Sequence, residues 1–174
     1  MESLRIVLMG KDFELRLVSL VVRARELAEE VLLFDLGSDD STIEMAGKVD
    51  CRVINHQGEI LVPTLSKVLF EEQYEGCTLL IHVNNRFRLR DMPLLVNRAR
   101  ENWDVHMSFI SEESDNSNPQ EIIYSDAEIS HLAASNSGLS ALSNSSPEDT
   151  PLELDEKLRV RVLHSKPPPK VQQR

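Results

Sequence analysis

Five short apolar runs, each separated from the next by a stretch of helical periodicity, constrain this chain more than anything else in it. Leu4–Met9, Val31–Asp35, Asp50–Asn55, Cys77–Val83 and Trp103–Ile110 read as strands. The run Val31-Leu32-Leu33-Phe34 is continuously apolar, as in parallel strands covered on both faces. Between the first two, Phe13, Leu17, Leu20, Val21, Ala24, Leu27 and Ala28 recur at spacings of three and four, with charged residues on the other face. That pattern is an amphipathic helix lying on a sheet, with Asp12 placed to cap it. Ser41-Thr42-Ile43-Glu44 fits a capping box opening a second helix. Pro63 opens a third, and Asp91-Met92-Pro93 begins a fourth. Strands alternating with helices predict a three-layer α/β/α sandwich around a mostly parallel sheet.

The charge is laid out unevenly. Residues 1–110 carry a net −5, residues 111–156 hold eleven acids and no base, and residues 157–174 carry +6. Residues 111–156 also contain eleven serines and little periodicity. This predicts a domain over 1–110, an acidic, Ser-rich disordered segment over 111–156, and a basic, Pro-containing tail over 157–174. Within that tail, Leu158–Leu163 alternates apolar and basic residues, which suits an edge strand or a docking peptide for a protein partner. Pro167–Pro169 favours polyproline II. The net charge of −10 argues against a general nucleic-acid surface. No apolar run reaches the roughly 20 residues that span a bilayer, and Met1-Glu2-Ser3-Leu4 lacks a basic leader, so the expected location is the cytoplasm. Cys51 and Cys77, with no CxxC spacing, read as buried reduced thiols.

Ligands of open α/β sheets bind beyond the carboxyl ends of the strands, which singles out Asp35 and the Gly37-Ser38-Asp39-Asp40 turn after it. Met9-Gly10-Lys11-Asp12 is neither a dinucleotide fingerprint nor a phosphate loop. The chain has no Gly-x-Ser-x-Gly elbow for a hydrolase nucleophile. His56 and His82, with Asp35, are the nearest thing to a metal set, and they are widely scattered.

Phe34 to Ala46 resembles the V-D-D-G-S-x-D-x-T-x-x-x-A segment of family-2 glycosyltransferases of the GT-A fold: Asp35, Gly37, Ser38, Asp40, Thr42 and Ala46 match. Leu79 to Leu95 is similar to the family's next strand, its D-x-D and the segment after it, through Arg86, Arg88, Asp91, Pro93 and Leu95. The resemblance implies a nucleotide-sugar site of UDP or GDP type. Asp35 would contact the base, Gly37, Ser38 and Asp40 would form its turn, and His82 and Asn84 would stand at the diphosphate. It also implies Mg²⁺ or Mn²⁺ carried with the nucleotide sugar. Here, however, His82-Val83-Asn84 replaces the D-x-D carboxylates, and hard cations favour carboxylate oxygen. Leu36 replaces the second aspartate of the Asp35 motif. The acceptor half, which supplies the catalytic base, is replaced by the Ser-rich segment. The expected function is a catalytically impaired nucleotide-sugar-binding domain, with a non-catalytic interaction or regulatory module on the same fold as the alternative.

Overall fold

A computed structural model describes residues 2–111 and 118–165. In chain order the elements are β1 (Leu4–Gly10), α1 (Glu14–Leu27), β2 (Glu30–Asp35), α2 (Thr42–Lys48), β3 (Arg52–Asn55), α3 (Val62–Glu71), β4 (Cys77–His82), α4 (Met92–Ala99), β5 (Val105–Ile110), β6 (Glu128–Ala134), α5 (Asn136–Ser143) and β7 (Val160–Ser165). The strands form one seven-stranded sheet ordered β3-β2-β1-β4-β6-β5-β7. Neighbours run parallel except at β6, which is antiparallel to both β4 and β5.

The three layers follow from the alternation of side chains along each strand. Leu4, Ile6, Leu8, Leu79 and Ile81 face one side, where they pack against Leu17, Leu20 and Val21 of α1 and Met92, Leu95 and Val96 of α4. Val7, Met9, Leu32, Phe34 and Leu80 face the other, against Leu65 and Leu69 of α3 and Leu139 and Leu142 of α5. The predicted sandwich with a mostly parallel sheet is the fold observed. Among the polar residues that enter the core is Arg5, 1% exposed. Its guanidinium donates to Thr78 Oγ1 (2.8 Å) and the Leu69 carbonyl, and lies over the Tyr74 ring. Both cysteines are free thiols, and burial pushes Cys77 up to about 11.

Over residues 118–156 the structure corrects the reading of the 111–156 segment as disordered. β6 sits in the middle of the sheet, and Ile129, Leu132, Ala133 and Ala134 are buried. Tyr124 is fully buried beside Phe109. The segment hides its structure because its packing uses small residues. α5 begins at the Ser135 cap, whose hydroxyl accepts from the Gly138 amide, and it lies directly on the loop before β5. A Cβ on Gly138 would stand 2.2 Å from the Asp104 carbonyl oxygen. Replacing a helix glycine by alanine ordinarily stabilises by about 1 kcal/mol, but overpacking against backbone costs about 3 kcal/mol. The clash wins, so Gly138→Ala should lower the denaturation midpoint in urea.

β7 is an edge strand beside β5, one of the two roles its alternation suggested. Residues 112–117 and 166–174 lie outside the described residues, so the polyproline reading of Pro167–Pro169 falls there. Among the described residues, no helix is long and apolar enough to cross a membrane.

Candidate functional site

The chain passes from β1 to β2 on one side and later returns to place β4 on the other, so the sheet's switch point lies between β1 and β4. At the carboxyl ends of these two strands is a cleft of about 570 Å³, lined by the 10–16 segment, Leu36, Asp40 and the 82–85 segment. This is the position where open α/β sheets take ligands.

Asp35 builds the floor behind the cleft. It is 1% exposed, and its Oδ2 accepts from the amides of Gly37 (3.1 Å) and Ser38 (2.9 Å) while Oδ1 accepts from Ser38 Oγ (2.6 Å). This is an Asx-type turn, in which a short carboxylate replaces backbone partners. Gly37 completes it at φ +91°, a conformation that side chains disfavour. Asp35, Gly37 and Ser38 therefore shape the turn, and none of the three lines the cleft.

One wall is a mutual cap between two helices. Asp12 Oδ1 accepts from the Asp39 amide (2.7 Å), and Asp40 Oδ2 accepts from the Glu14 amide at the start of α1 (3.2 Å). Thr42 Oγ1 accepts from the Phe13 amide, and Glu14 Oε2 accepts from the Ser41 amide before α2. The expected capping box does not form: Ser41 makes no side-chain cap, and Glu44 pairs with Lys48 instead. Nor does Asp12 cap its own helix; it serves the opposite turn. Partial burial opposes the charge on Asp40, but hydrogen bonds from Thr42 and Glu14 outweigh it and hold the carboxyl below its ordinary range. Both helix N-termini are thus already answered by protein carboxylates. A phosphate in this cleft would have to be met by side-chain cations.

The opposite wall supplies them. His82 Nδ1 lies 3.2 Å from Glu128 Oε1 and 3.3 Å from the Ile129 carbonyl oxygen. Asn84 Nδ2 donates to Glu128 Oε1 (3.2 Å), and Arg86 Nη1 stands 3.6 Å from Glu128 Oε2. Arg16 pins the loop by donating to the carbonyls of Asn84 (3.0 Å) and Phe87 (2.6 Å). The hydrogen bond from His82, against partial burial, holds the Glu128 carboxyl below its usual range, with Asn84 and Arg86 adding to it. A carboxylate holding Nδ1 of an imidazole fixes its tautomer and leaves Nε2 able to accept a proton. Lys11 stands exposed at the mouth and makes no ion pair among the described residues.

Of the residues marked in the sequence, the fold brings Asp40, His82 and Asn84 to the cleft. It adds two that were not marked, Lys11 and Arg16, and sets Glu128 behind His82 and Asn84. Arg86 and Arg88 precede a short 3₁₀ turn at Leu89–Asp91 that leads into α4. His56 bonds the Glu59 carbonyl and packs on Phe34, at the end of the neighbouring strand.

The chain is similar to glucosyl-3-phosphoglycerate synthase from Mycobacterium tuberculosis in complex with Mn²⁺, UDP-glucose and phosphoglyceric acid. The match has a TM-score of 0.55 and 14% identity, over 95% of this chain and 70% of that one. The complex of the same enzyme with UDP matches at a TM-score of 0.56 and 14% identity, over 99% and 73%. The fold is GT-A. No protein-family profile matches the sequence, and no curated protein matches it at a significant level.

GT-A enzymes of the family that the sequence resembles hold a divalent cation at the end of the fourth strand, and the residues of this GT-A domain do not fit one. His82 and Asn84 stand there, and Glu128 already serves His82, Asn84 and Arg86. Among the described residues, no group of three or more His, Cys, Asp or Glu is arranged to hold a metal ion. Mg²⁺ and Mn²⁺ require several unshared oxygens.

Proposed function

We propose that the cleft binds a nucleoside diphosphate, as carried by a nucleotide sugar of UDP or GDP type. The observation that carries this reading is the placing of Lys11, Arg16 and His82, the last held by Glu128 from behind, on the lining of one cleft at the sheet's switch point. Lys11 and Arg16, which line the cleft, would offset the diphosphate charge, and the Asp35 turn would hold Leu36 and Asp40 against the remainder of the ligand. His82, oriented by Glu128, is the one imidazole of the cleft able to take a proton from a bound hydroxyl. No step in this reading passes through a metal.

An interaction module is the second reading, favoured by the outer face of α1. Leu15 is 95% exposed, and Val18 and Val22 continue the stripe at helical spacing.

Thermal unfolding with millimolar UDP or GDP separates the two. A ligand of the native state at a hundredfold excess over its Kd adds about 2.7 kcal/mol, several degrees for a domain of this size. The shift should be the same in EDTA as in Mn²⁺ and should shrink in Lys11→Ala. It should vanish in Asp35→Ala, whose turn has lost both its amide acceptors. Absence of any shift with any common nucleotide would leave the interaction reading.

A further inference from the structure

A second cavity, of about 270 Å³, lies between α4 and the ends of β4, β5 and β6. Its outer wall is one face of the α4 region, Asp91, Leu94, Leu95 and Arg98, which recur at the three- and four-residue spacing of a helix. Its floor is made by a bulge. Ser108 pairs with His131 and Phe109 with Ile129, so Ser130 is the extra residue between them. A bulge re-aims the side chain it carries, and Ser108, Ser130 and His131 all line the cavity.

His131 is 4% exposed, and its Nε2 has no hydrogen-bond partner. It stacks on His106, ring centroids 5.4 Å apart, whose two ring nitrogens are likewise buried without partners. A buried polar nitrogen left unbonded costs about 1–3 kcal/mol, which a ligand in this cavity can recover. Arg98 makes no ion pair or hydrogen bond among the described residues, whereas Arg86 shares Glu128 with His82. Asp91, the remaining acid of the lining, is exposed at the rim.

We propose that this cavity is a site for a small oxyanion, a phosphate or carboxylate group, held by the Arg98 guanidinium, the Ser108 and Ser130 hydroxyls and the His131 imidazole. A planar guanidinium presents two parallel donors that match two oxygens of such a group. The two hydroxyls and the Nε2–H tautomer of His131 supply further donors. The volume is below the usual range for drug-sized ligands, so the occupant is a small ion or the anionic end of a small metabolite. The site does not depend on nucleotide binding, although His82 and Asn84 line both cavities.

The test uses the full chain, with inorganic phosphate and malonate as probes and chloride at matched ionic strength as the control. In the wild type, phosphate or malonate should raise the melting temperature above the chloride control and shift the His131 imidazole resonances. Arg98→Gln should lose at least tenfold in affinity; Arg98→Lys, which keeps the charge but not the fork, should fall between. Lys11→Ala should leave the anion response intact, and Arg98→Gln should leave any UDP response intact, so this site and the nucleotide cleft fail separately. An anion effect no greater than that of chloride overturns the proposal. So does a response that survives in Arg98→Gln and disappears in Lys11→Ala.

Discussion

A chain ending at Ser111 should show no cooperative unfolding transition by circular dichroism. Its sheet would lose β6 and β7, the two neighbours between which β5 lies. β4 would keep β1 on one side and present an open edge on the other, with a row of unpaired amides and carbonyls. The same cut removes Tyr124, Ile129, Leu132, Leu139 and Leu142, all buried in the second core layer. At about 1.5–3 kcal/mol for each large apolar side chain, their loss comes to about 10 kcal/mol, comparable with the whole stability of a typical domain. A chain ending at Ser165 keeps every described strand and should unfold cooperatively. Wild-type-like melting of the shorter chain would refute the central role of β6.

Acid should destabilise this protein well before its carboxylates titrate. Burial, helped by His106 and Arg98, pulls the His131 imidazole down to about 3 from an ordinary 6.5. Burial also lowers His106, with Arg161 and Arg98 adding to it. Between pH 6.5 and about 3 the unfolded chain binds a proton at His131 that the folded chain does not, so stability rises with pH in that window. The contribution is complete above 6.5 and is lost as pH falls. At 1.36 kcal/mol per unit, this one residue accounts for about 4 kcal/mol by pH 3. Glu128 acts in the same direction but only below its ordinary value of 4.5, so the interval from 6.5 to 4.5 isolates the histidines. Urea midpoints at pH 7.0, 5.5 and 4.5 should fall steadily in the wild type and much less in His131→Phe. A flat profile, or the same slope in both proteins, would show that His131 is charged in the folded state.

β1 to β5 and α1 to α4 were readable because their burial is written in period. Leu32, Leu33 and Phe34 are fully buried and consecutive, and the stripe of α1 repeats every turn. β6 and α5 were not, since their large core residues Ile129, Leu132, Leu139 and Leu142 are few and stand among Ala133, Ala134, Gly138 and serines, which blur the period. The same loss of contrast concealed Glu128. It lies 46 positions from His82 in the chain and meets it because Ile81 pairs with His131 across the antiparallel ladder.

The capping residues teach the complementary lesson. Asp12, Asp40, Thr42 and Glu14 are the residue types that cap helices, and they all do so. Each serves the neighbouring element, and Asp40 serves its own helix as well through the Thr42 amide, because β1 and β2 end side by side, with Gly10 opposite Asp35. That register brings the two turns within hydrogen-bond reach.

The sequence by itself determined the layers, the parallel half of the sheet and the turn after Asp35, since periodicity and turn chemistry act over a few residues. Only the tertiary structure decided where β6 enters, which carboxylate holds His82 and what stands unpaired beside Arg98. Those depend on strand register between segments far apart in the chain, and a shift of one residue would turn every one of those side chains to the other face.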